Sequence, residues 1–420
     1  MWFYKLTKDM KKSILLITAM IGLPLFFVSC EKNEPIDDPA IETEGLVETV
    51  GLPETRLSLT EAEMGNIARS NDFSIDFFRE DYDGKDKLLS PLGFQISLAM
   101  VGNLVDNYED VAKFIGFGTN ENKGHVNEYF KHLIEALTGE KCNKELRLAN
   151  ALMSDMKLEK FPESFLEVLP ESYFADILKI EAKSLQDQPA GLRPEDIWCQ
   201  NNTAGMINKA PFPIHEGDWS LLNALCFKGE WQNKFDKDST IIDNFYINSS
   251  DKTSLSMMRK KDNINYYKND NFAAVSLPFG DGTYNLSILL PNVPFNLPGL
   301  LDKLNSESWD EMRKGFINQK VTLSIPIFST EYSKKMLLSG IGMKGLNSDD
   351  GTLRIGQSTL FMMDEDGAAA AAVTQTGLPT SPGPSEAPKV VSFIANNPFL
   401  YTISETGSGL ILFIGAFLGA

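Results

Sequence analysis

The sequence predicts one large α+β domain that follows an N-terminal targeting segment and an acidic linker. Two observations lead to this prediction: helical patterns come mostly in the first half of the chain, and strand patterns come mostly in the second half. A third is composition, because the 420 residues are 43% hydrophobic and 10% aromatic, which is enough for a substantial core. No internal repeat divides the chain.

Residues 1–29 are expected to be a signal peptide. Four lysines precede an apolar run, Ser13 to Val28, that is too short and too interrupted by Pro24 for a membrane span. The run ends at Ser29-Cys30, which resembles a bacterial lipoprotein signal with Cys30 as the lipidated residue. An ordinary signal peptide or anchor is the alternative.

Residues 30–56 are expected to be a disordered acidic tether between the lipid and the domain. Glu31 to Arg56 contains eight carboxylates against two basic residues, together with three prolines. The folded domain is predicted to span residues 57–420. The lipid anchor would place it at the bacterial outer membrane, facing either the cell surface or the periplasm.

Two helices are predicted at the start of the domain. Thr60 and Glu63 have the spacing of a capping box, and the apolar face that follows extends toward Phe77 and Phe78. The apolar stretch Ser90 to Val105 begins with Ser-Pro, an order that favours a helix N-terminus.

Strand patterns dominate from Phe272 onward. Two apolar runs flank Gly280-Asp281-Gly282, which predicts a hairpin, and Val321 to Phe328 alternates as a strand does. Leu353 to Met363 is a long extended run, and a second hairpin around residues 406–409 closes the chain.

The stretch Asp364 to Lys389 combines five consecutive alanines with four later prolines. Alanines favour a helix, yet here they lie between two stretches that are typical of buried strands. A surface helix or a flexible linker is the simple interpretation of this segment taken alone.

No familiar catalytic or metal-binding motif occurs in the chain. The three histidines, His125, His132 and His215, are too scattered to indicate a metal site or a triad. The formal net charge of −18 argues against nucleic acid as a partner, because phosphate binding requires clustered Lys and Arg. Cys199 and Cys226 are expected to be core thiols. The sequence therefore gives no reason to assign an enzymatic activity, a metal or a cofactor.

Several segments, in order along the chain, resemble the serpin family. Leu221 to Thr240 matches the pattern N-A-x-x-F-K-G-x-W-x-x-x-F-D, and Glu365 to Thr374 is similar to the family's proximal hinge. Asn396 to Leu418 resembles its closing strands, and the helix beginning at Ser90-Pro91 also fits. The resemblance implies the serpin fold: helices plus three β-sheets, with an exposed reactive centre loop.

The resemblance also implies a mechanism, the trapping of a protease as a suicide substrate. The target protease cuts the loop and forms an acyl-enzyme, and the freed loop then inserts as a new central strand of a large sheet. Small residues suit this insertion, and the prolines, which would block a sheet ladder, come only after Thr374. The expected partner is a serine protease, or alternatively a cysteine protease, and the inhibitor is expected to be a monomer.

The implied site residues fall into a hinge, a gate and a reactive bond. The hinge residues are Glu365, Gly367, Ala368, Ala369, Ala370, Ala371, Ala372 and Thr374. The gate residues, which control the opening of the sheet, are Ser90, Asn223, Gln357 and Trp231. Two positions depart from the family at the gate: Gly93 replaces a Ser and Gln357 replaces a His. Since Gln both donates and accepts, it can bond Asn223 across the gate.

The reactive bond is assigned to Thr380-Ser381. Counting from the hinge glycine points to the bond after Ser381, but Pro382 follows, and most serine proteases cut poorly before proline. Bonds from Leu378 to Ala387 stay open as alternatives. No Arg or Lys lies between Gly367 and Pro388, which favours an elastase-like or subtilisin-like target over a trypsin-like one. Two other functions compete with inhibition: a non-inhibitory serpin, and an envelope lipoprotein that binds glycan or another ligand.

Overall fold

The capping box predicted at Thr60 begins the first helix of the computed structural model, in which the Thr60 hydroxyl accepts from the Glu63 amide. The structure describes residues 49–105, 108–118, 121–139, 145–185, 189, 192–338, 353–368 and 390–419. The described part of the chain from Thr49 onward forms one unit.

Eight α-helices are described. They are α1 (Glu61–Asp81), α2 (Pro91–Gly102), α3 (Tyr108–Phe114), α4 (Lys123–Thr138), α5 (Glu163–Tyr173), α6 (Pro194–Asn202), α7 (Leu297–Leu301) and α8 (Ser306–Lys314). The predicted Ser-Pro start of α2 is confirmed, with Ser90 as the N-cap residue. Every residue of α2 is buried, which explains why this helix is apolar on all sides. Within the described ranges, no helix is both long and apolar enough to cross a membrane.

Fourteen β-strands are described. They are β1 (Lys87–Leu89), β2 (Leu146–Ser154), β3 (Ala175–Lys179), β4 (Trp219–Phe227), β5 (Ile241–Tyr246), β6 (Lys252–Lys268), β7 (Phe272–Pro278), β8 (Tyr284–Pro291), β9 (Ile317–Pro326), β10 (Phe328–Leu338), β11 (Leu353–Met363), β12 (Val391–Ile394), β13 (Phe399–Glu405) and β14 (Ile411–Phe417). Both predicted hairpins are present, as β7 with β8 and β13 with β14. The predicted strand Val321 to Phe328 is divided, because β9 ends at Pro326 and β10 begins at Phe328.

The strands form two hydrogen-bonded sheets. The five-stranded sheet has the order β10-β11-β4-β2-β3. The nine-stranded sheet has the order β1-β14-β13-β8-β7-β6-β9-β12, with β5 paired to β6. The family resemblance implied three sheets. The described strands join into two because β6 is 17 residues long. Its first part pairs with β5 and its last part with β7, so it links two groups of strands.

The core lies between the two sheets. Phe361 of β11 stacks on Tyr401 of β13 at 5.4 Å between ring centroids, and Phe328 of β10 lies 5.1 Å from the same ring. All three side chains are buried. Aromatic pairs of this kind add to the stability gained from area burial alone. They bind the inner face of the five-stranded sheet to the strands behind it.

The chain contacts the domain before Leu57, the predicted start of the fold. The Val50 amide donates to the Phe316 carbonyl, and the Thr55 hydroxyl and Arg56 amide both donate to the carboxylate of Glu405. The last part of the stretch expected to be a disordered tether is therefore bonded to the body of the protein. Sequence composition missed this because the partners lie hundreds of residues away.

Candidate functional site

The candidate site lies in the five-stranded sheet, at the boundary between β4 and β11. These strands are parallel, and their register runs from Leu353 opposite Trp219 to Ser358 opposite Ala224. A parallel pair in the middle of a sheet can be separated to admit a third strand that is antiparallel to both. The boundary is thus the place where a loop following β11 would enter.

The chain reverses direction directly after β11. The Asp364 amide donates to the Gly367 carbonyl, and the Asp364 carboxylate accepts from the amides of Asp366 and Gly367. The short side chain of Asp364 thus stabilises the turn by accepting hydrogen bonds from its backbone. We call residues 364–368 the hinge turn.

Ala368, the last residue of the hinge turn, already lies inside the sheet. It forms an antiparallel bridge with Met363, and its amide donates to the Gly229 carbonyl at 2.6 Å. Its side chain is 0% exposed. The first residue of a potential new strand therefore contacts both sides of the β4–β11 boundary.

Gly367 is required by the close approach of two backbone segments. Its φ of +144° lies in the region that favours glycine. A Cβ at this position would lie 2.5 Å from the Glu230 Cα and 2.8 Å from the Trp231 amide nitrogen. Any side chain here would push the hinge turn away from residues 229–231.

The segment that follows β4 holds the hinge turn. The Trp231 amide donates to the Asp366 carbonyl at 3.0 Å, and the Phe235 amide donates to the Glu365 carbonyl at 2.9 Å. The Trp231 indole nitrogen donates to the Asp364 carbonyl at 2.8 Å. The gate residue Trp231 thus acts on the hinge turn directly, and its ring is fixed by stacking on Phe279 at 4.5 Å.

Two lysines and a threonine bind the acidic side chains of the hinge turn. Lys237 Nζ lies 2.6 Å from the Asp366 carboxylate, and Lys234 lies 3.6 Å from it. The hydrogen bond from Lys237 holds the pKa of Asp366 below its usual range. The Thr240 hydroxyl donates to the Glu365 carboxylate at 2.7 Å. These contacts explain the acidic pair before Gly367, which the family resemblance marked without giving its partners.

The other gate residues meet at the middle of the β4–β11 boundary, where Gln357 is opposite Asn223. The Gln357 amide donates to the Asn223 side-chain oxygen at 3.3 Å and to the Ser90 carbonyl at 2.8 Å. Its oxygen accepts from the Ser90 amide at 2.9 Å. The predicted hydrogen bond between Gln357 and Asn223 is therefore present, and Ser90 takes part through its backbone. Gln357 is 1% exposed.

The two departures from the family are structurally linked. A Cβ on Gly93 would overlap both the side-chain oxygen of Asn223 and the side-chain nitrogen of Gln357. The absence of a side chain at position 93 makes the room that the long Gln357 side chain occupies. A Ser at position 93 and a Gln at position 357 would therefore overlap sterically.

The hydrogen-bond network around Gln357 and Asn223 extends to two residues that the sequence analysis missed. The Asn223 amide donates to the side-chain oxygen of Asn150 on β2, and the Asn150 amide donates to the Tyr173 carbonyl, both at 2.8 Å. All these groups are buried, so each hydrogen bond prevents an unsatisfied polar group. The signal available in the sequence was a lone Asn within the apolar run of β2.

Several predicted site residues lie outside the described ranges. They are Cys30, Ala369, Ala370, Ala371, Ala372, Thr374, Thr380 and Ser381. The lipidation site and the reactive bond therefore stay predictions.

Comparisons with known proteins agree with this geometry. The sequence model of the family described as "Serpin (serine protease inhibitor)" matches residues 68–419. Iripin-8 of Ixodes ricinus is 26% identical over 379 residues, covering 83% of this chain and 92% of that protein. Corticosteroid-binding globulin of Sus scrofa is 27% identical over 390 residues, covering 86% and 93%. The crystal structure of the thermophilic serpin Tengpin in its native state matches with a TM-score of 0.73 at 24% identity, covering 89% of this chain and 98% of that one.

Proposed function

Because this chain belongs to the serpin family, we propose that it inhibits a serine protease by trapping it as a suicide substrate. The observation that carries the proposal is Ala368, already seated between β11 and Gly229 at the top of the β4–β11 boundary. Continued insertion extends an antiparallel strand that has begun.

The strand register supports insertion of the loop as far as Leu378. Counting antiparallel from the bridge between Ala368 and Met363 sets Thr374 opposite Gln357 and Leu378 opposite Leu353. The β11 residues in this alternate set are all buried. Directly opposed residues share a face of a sheet, so the loop residues at the same positions would face the core. These are Ala368, Ala370, Ala372, Thr374, Thr376 and Leu378.

The sequence suits this register at the inward positions and at the end of the segment. The inward positions carry five residues no larger than Thr before the first bulky one, Leu378. Pro379 comes one position beyond Leu353, the first residue of β11, so no proline enters the ladder. The proposed reactive bond, Thr380-Ser381, lies just beyond the segment that inserts.

The energetic gain is large enough to make insertion one-way. A central strand of this length adds on the order of ten hydrogen bonds beyond those of the β4–β11 pairing, each worth about 0.5–1.5 kcal/mol, or about 5–15 kcal/mol in total. The native state would hold this free energy in reserve, and its stability would be kinetic.

Incubation with pancreatic elastase tests the proposal. We expect a covalent complex that survives hot detergent, because the protease is trapped as an acyl-enzyme. Intact-mass analysis of the released fragment identifies the cut bond. The control is Ala368→Arg, which places a long cation at a position that is 0% exposed and should convert the inhibitor into a substrate. Clean cleavage of the unmodified protein with no stable complex would refute inhibition of this class of protease.

A non-inhibitory carrier is the second candidate, favoured by the similarity to corticosteroid-binding globulin. The unfolding temperature of loop-cut protein distinguishes the two functions. Loop-cut inhibitor should unfold at a much higher temperature than intact protein, because the inserted strand has joined the sheet, whereas a cut protein that cannot insert its loop should not gain stability.

We also propose that Cys30 anchors the domain in a bacterial outer membrane and that the protein acts there as a monomer. The basic start, apolar run and Ser29-Cys30 sequence support the anchor. Metabolic labelling with palmitate should mark the protein and should fail in Cys30→Ala. Protease shaving of intact cells distinguishes a surface location from a periplasmic one.

A further inference from the structure

An open cleft of about 150 Å³ adjoins the segment that holds the hinge turn. Its lining includes two buried apolar side chains, Ile264 of β6 and Leu277 of β7. Its walls are rich in carboxamides. They are Gln232, Asn233, Asn263, Asn265 and Asn318.

Lys260 places a cation at this cleft. Its Nζ donates to the Asn233 carbonyl at 2.9 Å and lies 4.0 Å from the centroid of the Phe235 ring. Within the described residues, no carboxylate lies at ion-pair distance from this ammonium. A cation removed from water without an anionic partner is costly, so an anion that reaches Lys260 would relieve that cost.

Burial lowers the pKa of Lys260 to about 8, against the opposing field of Asp262 on the same strand. The remaining cleft residues, contributed by residues 231–233, β7 and β9, are uncharged. Lys234, next along the chain, is paired with Glu230 and Asp366. Lys260 is therefore the one cation, and Asp262 the one carboxylate, among the residues that line the cleft.

We propose that this cleft binds a small hydroxylated carboxylate with the size and chemistry of an acidic monosaccharide. The ammonium of Lys260 suits a carboxylate, and carboxamides both donate to and accept from hydroxyl groups. The apolar lining residues, which include Trp231, Ile264 and Leu277, suit the carbon face of a ring. A closed cavity of about 150 Å³ holds a six-membered ring, and because this cleft is open, ring substituents can reach its rim.

A bound ligand would also act on the neighbouring backbone. Lys260 contacts both Asn233 and Phe235, and the Phe235 amide holds Glu365 of the hinge turn. Occupation of the cleft should therefore slow hydrogen exchange in residues 231–235 and in residues 260–265. This readout does not depend on whether the protein inhibits a protease.

Glucuronate and glucose form the matched pair of probes, because they differ in one carboxylate. We expect calorimetry to show saturable binding of glucuronate with a Kd on the order of 1 mM, as for weak small ligands, and at least tenfold weaker binding of glucose. Lys260→Met should abolish the difference between the two sugars. Lys261→Met, at the adjacent exposed lysine, should retain the difference. Lys260→Arg should also retain it, because the positive charge is kept.

The pH dependence has a defined sign. A lysine with a pKa of about 8 is charged below that value, so glucuronate should bind about tenfold more weakly at pH 9 than at pH 7. Equal binding of the two sugars, binding unaffected by Lys260→Met, or exchange protection confined to other regions would each overturn the proposal.

Discussion

Replacement of Gly93 by alanine should destabilise the protein even though alanine is the better helix former. Gly93 lies in α2, where Gly→Ala favours the helix by about 1 kcal/mol. The new Cβ would overlap the Gln357 amide and displace its three hydrogen bonds to Ser90 and Asn223. At about 0.5–1.5 kcal/mol each these total about 1.5–4.5 kcal/mol, which leaves a net loss of about 0.5–3.5 kcal/mol.

Gly65→Ala is the matched control. Gly65 also lies within a helix, α1, but a Cβ there would meet nothing within 4 Å. Its replacement should therefore be neutral or stabilise by up to about 1 kcal/mol. Urea unfolding followed by tryptophan fluorescence measures both variants. The opposite signs expected at the two glycines separate steric conflict from helix propensity.

A double variant that lacks the gate amides tests whether they cause the loss of stability in Gly93→Ala. In the variant Asn223→Ala/Gln357→Ala, the side chains that the new Cβ would meet are gone, so Gly93→Ala should no longer be costly. If Gly93→Ala costs the same free energy in this background as in the natural sequence, the packing of Gly93 against the gate amides is not the reason, and the linked origin of the two departures is refuted.

Three further outcomes are expected. Gly367→Ala should reduce the fraction of protease trapped per inhibitor molecule cleaved, because the new Cβ would lie 2.8 Å from the Trp231 amide nitrogen. Gly51→Ala is the control and should not reduce it, because a Cβ there would meet nothing within 4 Å. Equal trapping by both variants would contradict the role of the hinge turn. Trp231→Phe removes the 2.8 Å hydrogen bond to the Asp364 carbonyl. It should lower the free energy of unfolding, measured by urea unfolding, by about 0.5–1.5 kcal/mol. An unchanged free energy would show that this bond does not stabilise the protein. Burial raises the pKa of Cys199 to about 12 and that of Cys226 to about 11, so both thiols should resist alkylation at pH 8 until the protein is unfolded, as peptide mass spectrometry would show, and rapid labelling of the native protein would count against a buried location.

The elements that could be predicted from sequence are those whose signals are local. The capping box at Thr60, the Ser-Pro start of α2, and the hairpins at residues 280–282 and 406–409 depend on residues within a few positions of one another. Strand β11 was predicted with the bounds that it has, Leu353–Met363, because its extended apolar run ends at an acidic turn.

The division into sheets was harder to predict because pairing partners are distant in sequence. Strand β1 has three residues and pairs with β14, more than three hundred positions later. Strands β2 and β3 lie within the part of the chain that looked mainly helical. Short strands such as these acquire their stability from neighbours rather than from their own composition.

The amino-acid sequence by itself determined the family and the order of the main elements, because these are recorded as local patterns and as motifs in a fixed order. Only the tertiary structure decided how Gly93 makes room for Gln357, how Lys237 and Thr240 hold the acidic hinge residues, and where Ala368 enters the sheet. The physical reason is that steric overlap and hydrogen bonding act over a few ångströms in space, between residues separated by more than a hundred positions in the chain.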